Sequence, residues 1–193
     1  MPAMGKNIRT LLWALILLAM LSSIAAAQPA AADEKKVYNS EKWDIMLLYP
    51  KDWSYVEQYR ENVPVVMYPP KEDEPDGFIM VYFLGEKIFD DLDDFAKHFE
   101  EKYLGSYKTH KIIEKVEAKT QEEYPALDYH YTFDDSDGAK SVSDCRLTIA
   151  KDGKCWMISH DRPEGGSEKI AKEAIEIIES VIFSPADYVT KGK

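Results

Sequence analysis

Three residues in the C-terminal half of the sequence, Tyr131, Cys145 and His160, carry side chains that could do chemistry together. A histidine beside a cysteine can activate the thiol as a nucleophile, and the same pair can hold a soft metal ion. Cys145 and His160 alone supply fewer ligands than a zinc site uses. We therefore interpret the three residues as a structural row at the end of a core, with a metal or nucleophile site as the alternative.

Whether these side chains meet depends on the register of three successive predicted strands. Asp152-Gly153 is typical of a two-residue hairpin loop, and the register that it sets brings apolar residues opposite one another. The buried face is then predicted to contain three rows: Leu127–Ile149–Trp156, Tyr129–Leu147–Ile158 and Tyr131–Cys145–His160.

The same register argues against a disulfide. It places Cys145 and Cys155 at different rows and on opposite faces of the sheet, beyond the reach of a disulfide bond. We therefore expect both cysteines to remain unbridged.

Other catalytic or metal-binding patterns are missing from the sequence. It has no Gly-x-Ser-x-Gly elbow, no phosphate-binding glycine loop and no pair of metalloprotease histidines. The acidic segment 71–77 has no regular ligand spacing, so a solvated loop is the simpler interpretation and a cation site the alternative. Segment 134–138 is predicted to be a turn. We expect a non-enzymatic protein without a cofactor.

The composition is that of an ordinary globular domain. The chain has 193 residues, of which 45% are hydrophobic and 12% aromatic, and its formal net charge is −11. No stretch supplies the basic surface that a nucleic-acid-binding protein needs.

The N-terminal segment is predicted to be a secretory signal peptide spanning residues 1–27. Lys6 and Arg9 precede a short apolar run, and three alanines, 25–27, follow it. An uncleaved membrane anchor is the alternative. Cleavage removes two basic residues and lowers the net charge from −11 to −13. We then expect a flexible linker over 28–36, one domain over 37–183 and a flexible tail over 184–193, with no stable membrane span in the mature chain.

Hydrophobic periodicity predicts the elements of this domain. Alternating or continuous apolar runs indicate strands at 43–49, 63–68, 77–84, 111–119, 127–133, 145–149 and 156–159. Apolar residues three and four apart indicate helices at 90–104 and 167–182, the second capped by Ser167. Strands, helix, strands and helix in this order predict an α+β fold with an antiparallel sheet.

Two segments resemble the PsbP-like superfamily. Residues 43–53, WDIMLLYPKDW, are similar to its first strand with the following Pro and Trp, and residues 177–183, IIESVIF, to its closing helix and exit. The resemblance implies an antiparallel sheet sandwiched by helices, in α/β/α layers. Members of this superfamily include extrinsic subunits of a photosynthetic membrane complex, a nuclear Ran-binding factor and exported bacterial proteins, and they share no catalytic residues.

The resemblance therefore implies a non-enzymatic binding or assembly module that acts outside the cytoplasm. We expect a monomer that engages a protein partner, with a membrane complex as one setting. A small-ligand or metal-binding protein that uses a groove beside the sheet is the alternative. Partner binding predicts an exposed aromatic or apolar patch, whereas ligand binding predicts a pocket with converging polar groups.

Overall fold

The computed structural model describes residues 34–70 and 77–185. The predicted signal peptide, residues 28–33 of the predicted linker, residues 71–76 of the acidic segment and residues 186–193 of the predicted tail lie outside these ranges. The chain divides into two compact units, Met1–Glu34 and Lys35–Lys193, and only the second is described below. Its first strand begins at Lys35, two residues inside the segment predicted as linker.

A small antiparallel sheet contains the first two strands and the last. Strands β1 (Lys35–Ser40), β2 (Ile45–Pro50) and β10 (Ile182–Phe183) pair in the order β1-β2-β10. Ile45, Leu47 and Tyr49 alternate toward the core along β2, as predicted. Trp43 lies in the turn before β2, so the predicted strand begins two residues too early.

A large antiparallel sheet contains the other seven strands. These are β3 (Ser54–Arg60), β4 (Val63–Tyr68), β5 (Phe78–Glu86), β6 (His110–Lys119), β7 (Pro125–Asp134), β8 (Lys140–Ile149) and β9 (Lys154–Pro163). Their order is β3-β4-β5-β9-β8-β7-β6, so β3 and β6 are the edges. Together with two helices, these sheets confirm the predicted α+β class.

Two helices connect the strands, and each begins at a capping side chain. Helix α1 (Leu92–His98) begins after Asp91, whose carboxylate accepts a hydrogen bond from the Asp94 amide, and it continues through a π-helical turn at Phe99–Tyr103. Helix α2 (Glu168–Glu179) begins after Ser167, as predicted. It ends three residues before the predicted end because the chain turns there into β10.

Buried side chains form two separate cores. The first contains α2, the small sheet and one set of residues from β4, β5 and β9, among them Trp156 and Ile158. The second contains α1 and buried residues of β7, β8 and β9. On β9, the residues of the second core alternate with those of the first. The spacing of apolar residues on the predicted helix over 167–182 also places Ile175 in the core, but this residue is 40% exposed, because the buried stripe of α2 consists of Ile170, Ala174, Ile177 and Ile178.

The register of the β8–β9 hairpin differs by one residue from the predicted one. The loop has three residues, Lys151–Gly153, and Ala150 pairs with Lys154 across it. Gly153 has a φ of +78°, which is the left-handed position of a three-residue hairpin loop. The shift turns Trp156 and Ile158 to the face opposite Cys145, so the predicted rows are wrong.

The β7–β8 register differs by two residues, which leaves the faces unchanged. Tyr129 lies opposite Cys145, and Tyr131 lies opposite Ser143. The connecting turn sets this pairing, because the Asp135 amide donates to the Ala139 carbonyl and Gly138 adopts a φ of +85°.

Within the described ranges, neither helix combines the length and the apolar character needed to cross a membrane.

Candidate functional site

The structure does not bring Tyr131, Cys145 and His160 together. Cys145 lies opposite Tyr129 and Ser159, whereas His160 lies opposite Asp144 on the other face of the sheet. The predicted Cys145–His160 pair is therefore wrong. That prediction assumed a two-residue loop at Asp152-Gly153, whereas the loop in the structure has three residues.

Cys145 and Cys155 are both buried, free thiols. They face the same side of the sheet, not opposite sides as predicted, and their pairing positions on β8 and β9 lie four residues apart, roughly 13 Å along the strands. Burial raises the pKa of the Cys145 thiol well above its ordinary value, and the Asp161 carboxylate adds to this shift. Cys145 is thus a protonated core residue and lacks the thiolate character of a nucleophile.

No metal centre is assembled among residues 34–70 and 77–185: they contain no group of three or more His, Cys, Asp or Glu side chains arranged to hold an ion.

One open groove, of about 260 Å³, lies beside β6–β8 and α2, and we call it the charged groove. The Arg146 guanidinium donates two hydrogen bonds of 2.7 Å to the Asp128 carboxylate, and His130 Nδ1 lies 2.7 Å from Asp144. Arg162 also donates to Asp144, at 3.3 Å. Four charged or titratable side chains of this groove, Asp128, His130, Asp144 and Arg146, therefore already have partners.

A second open groove, of about 340 Å³, lies on the opposite face over β3–β5, and we call it the aromatic groove. Its floor consists of partly exposed aromatic and sulfur side chains from neighbouring positions of β4 and β5. The residues that line it are Tyr59, Arg60, Asn62, Val63, Val66, Tyr68, Phe78, Met80 and Tyr82.

The edge strand β3 forms one side of this groove. All seven of its residues are exposed, including Val56 and Tyr59. Val56 pairs with Val66 and so lies on the face of the aromatic groove. Gln58 has a φ of +48° within a bulge that shifts the register before Arg60, and this bulge bends the edge next to the groove.

A buried carboxyl group lies on β9, the strand next to the aromatic groove. Asp161 on β9 pairs with Phe78, and its Oδ1 atom is buried although the residue as a whole is partly exposed. Burial raises the pKa of Asp161 to about 6; the Ser143 hydroxyl opposes this shift, and Asp135 and Asp144 reinforce it. A strongly shifted carboxyl group beside a groove is a typical feature of functional sites.

Sequence analysis missed both the aromatic groove and Asp161. The β-branched and aromatic residues Tyr55, Val56 and Tyr59 are a strand signal that could have revealed β3. Nothing local marks Asp161, because its partners come from β5 and β8 and depend on the register.

No family model and no curated protein sequence matches this chain. Solved structures do match. Cyanobacterial PsbP (CyanoP) from Synechocystis sp. PCC 6803 aligns over 83% of this chain and 99% of its own, with 13% identity and a TM-score of 0.55. LpqN, involved in cell envelope biogenesis of Mycobacterium tuberculosis, aligns over 78% and 86%, with 12% identity and a TM-score of 0.53. The Saccharomyces cerevisiae Ran-binding protein Mog1p aligns over 79% and 97%, with 13% identity and a TM-score of 0.50.

These identities are low, so the likeness concerns the fold and not the chemistry. The aligned regions nonetheless span nearly the whole of the CyanoP and Mog1p chains. This chain therefore has the PsbP-like fold that segments 43–53 and 177–183 predicted.

Proposed function

We propose that this chain is an exported, non-enzymatic module that binds a protein partner through the aromatic groove, in an assembly at a membrane. The observation that carries the proposal is a sheet face that the two described helices leave open, with one exposed and four partly exposed large side chains: Tyr59, and Tyr68, Phe78, Met80 and Tyr82. Tyr, Phe and Met are enriched at protein interfaces, where they bury a large area at low entropic cost.

The open edge of β3 supports the same surface. An edge strand presents unpaired backbone N–H and C=O groups, and an extended peptide can pair with them while its side chains enter an adjoining groove. Val56 and Tyr59 lie on this edge, beside the groove. Backbone pairing with aromatic contacts is therefore the binding mode that this surface favours.

The layering of the fold explains why this face is open. We infer that the helices cover opposite faces of the large sheet, as in an α/β/α arrangement. Helix α2 packs with Trp156 and Ile158, whereas α1 packs with Cys145 and Met157, which face the other way. Because α1 covers β7 and β8, the same face over β3–β5 keeps its aromatic side chains exposed.

Two proteins of similar fold are compatible with a binding role, and one of them is also compatible with a role at the cell envelope. Mog1p binds Ran, and LpqN takes part in building a cell envelope, so the fold serves interaction and envelope proteins. The signal-like segment 1–27 favours export for this chain.

A small-ligand function would instead use the charged groove. The charged side chains among its lining, which converge on one open groove, support this second candidate. A ligand would have to replace the Asp128–Arg146 and His130–Asp144 pairs, which already satisfy those groups. We therefore rank this function second.

Photo-crosslinking in the native host tests the proposal. The two edge strands offer a matched pair of sites, because Val56 on β3 is 47% exposed and Val116 on β6 is 46% exposed. A photoreactive phenylalanine analogue at position 56 should crosslink to one discrete protein, and the analogue at position 116 should not.

Tyr59→Ser in the position-56 protein should reduce the crosslinked product several-fold, whereas Ile113→Ser on β6 should leave it unchanged. Both residues are exposed, so neither substitution should affect folding. Equal crosslinking from both edges would contradict the proposal, and crosslinking from position 116 alone would favour the charged groove.

A further inference from the structure

One row of the large sheet connects the aromatic groove with the second core. Phe78, which lines the groove, pairs with Asp161; Asp161 pairs with Ser143, and Ser143 pairs with Tyr131. These four side chains share one face of four adjacent strands, and directly paired Cα atoms lie about 4.5–5.5 Å apart.

Within this row, the Ser143 hydroxyl interacts with both of its neighbours, the Asp161 carboxyl and the Tyr131 phenol, and opposes the rise in the pKa of each. The Asp161 Oδ1 atom is nonetheless buried and makes no close hydrogen bond to a residue of the described ranges. A buried carboxylate oxygen costs free energy unless a donor pairs with it. Asp161 as a whole is partly exposed, so the row is not sealed inside the core.

Three phenols interact electrostatically with this carboxyl group. Asp161 raises the pKa of Tyr82 and of Tyr103, second only to burial in each case, and it acts on Tyr107 in the same direction. Its charged neighbours Asp135 and Asp144 are also acidic. The next residue, Arg162, neutralises Asp144 on the opposite face.

We propose that the Asp161 row accepts the ammonium group of a lysine from the protein partner that docks in the aromatic groove. This inference rests on the proposed function and names the chemistry of the partner. A lysine ammonium is a positively charged N–H donor, and the buried Asp161 carboxylate offers it an oxygen acceptor of opposite charge. The neighbouring aromatic rings add cation–π attraction, and the long apolar stem of lysine fits a groove lined by Phe78 and Met80.

The acceptor favours lysine over arginine. A guanidinium ion is planar and best matched by two oxygen atoms side by side, as in the Arg146–Asp128 pair of this protein. At Asp161 the oxygen without a close partner in the described ranges is the single atom Oδ1, which suits the compact ammonium ion of lysine.

A titration followed by ¹H–¹⁵N NMR tests the proposal without the partner. The probe is N-acetyl-lysine methylamide, and its neutral match is N-acetyl-norleucine methylamide. The lysine probe should shift the amide signals of Phe78, Asp161 and Ser143, whereas the norleucine probe should shift those signals far less. In Asp161→Asn the apparent Kd for the lysine probe should rise at least tenfold, and in the exposed-site control Asp52→Asn it should not change.

Equal shifts from both probes, an unchanged Kd in Asp161→Asn, or no shift at about 0.1 M lysine probe would overturn the proposal. The same spectra show whether each variant is folded. Crosslinking from position 56 reports on partner binding separately, so a failed titration with successful crosslinking rejects only the lysine site.

Discussion

Among single residues, Asp161 has the clearest consequence for stability. Burial raises its pKa from an ordinary value of 3.8 to about 6, so the folded protein binds its proton more tightly than the unfolded chain. The stability that this preference contributes is present below about pH 3.8 and is lost as the pH rises through about 6. A group that weakens the fold at neutral pH, beside an open groove, is typical of a binding site.

Asp161→Asn should therefore stabilise the protein at pH 8 but not at pH 4. The free energy of unfolding of the variant, measured relative to wild type, should increase by about 2–3 kcal/mol from pH 4 to pH 8. The reason is that asparagine does not ionise. Urea denaturation at both pH values measures this difference.

Asp52→Asn, at an exposed carboxylate in a turn, is the control and should show no such pH dependence. The phenols and the thiol near Asp161 have raised pKa values and stay neutral over this range: Tyr82, Tyr103, Tyr107, Tyr131 and Cys145. A gain at pH 8 no larger than at pH 4 would mean that the Asp161 carboxylate is solvated.

Trp156→Ala should destabilise the protein by about 3–5 kcal/mol. Trp156 is buried in the first core, where its ring centroid lies 5.0 Å from that of Phe83 and 5.4 Å from that of Phe183. Chemical denaturation measures the loss, and a value below about 1 kcal/mol would show that this face is solvated.

Trp156→Phe is the matched control and should cost less than about 1.5 kcal/mol, because it keeps a ring. It also removes an Nε1–H that is buried without a hydrogen-bond partner in the described part of the chain.

Among the elements, the β8–β9 hairpin determines which side chains share a face. Gly153 closes its loop with a φ of +78°, and an added Cβ there would lie 2.7 Å from Lys87 Cγ. Gly153→Ala should therefore cost about 1–2 kcal/mol, since the left-handed conformation is strained for alanine.

Gly153→Asn should cost less than Gly153→Ala, because asparagine tolerates this conformation better. Thermal or urea denaturation of both variants checks the order. Equal and negligible losses would show that residue 153 does not hold this left-handed conformation.

The two edge strands differ in a way that favours β3 as the binding edge. Strand β6 carries alternating charges, with Lys111, Glu114, Lys115, Glu117 and Lys119. Charged side chains of this kind discourage edge-to-edge pairing. Strand β3 instead exposes Tyr55, Val56 and Tyr59, so its bulge is the main feature that limits unwanted pairing.

For the whole molecule, net charge and partner chemistry are linked. The chain carries 35 acidic and 24 basic residues, so a partner with exposed lysines would be attracted before contact. The lysine proposed for the Asp161 row is positively charged, so the negative net charge of this chain attracts it.

The predicted signal peptide makes export of the whole molecule testable. Protein isolated from its native host should begin at Gln28, because Ala25, Ala26 and Ala27 follow a short apolar run behind two basic residues. Intact-mass and N-terminal peptide mass spectrometry measure this. Recovery of a chain that retains residues 1–27 would instead support an uncleaved anchor.

Local sequence patterns alone determined much of the fold. Alternation identified β2 and β7, a continuous apolar run identified β5, and spacing of three and four identified both helices. The cap at Ser167 was also predictable, since its hydroxyl satisfies a free amide within one turn. These features depend on residues close together in the chain, and so did the PsbP-like resemblance.

Only the tertiary structure decided which strands are neighbours and in what register. Strand β9 is buried on both faces, so the hydrophobicity of Trp156, Met157 and Ile158 does not reveal which face each residue takes. The loop closed by Gly153 and the pairing of β9 with β5 made that choice. Because Asp161 meets Phe78 only through this long-range pairing, the candidate site could not be predicted from local pattern.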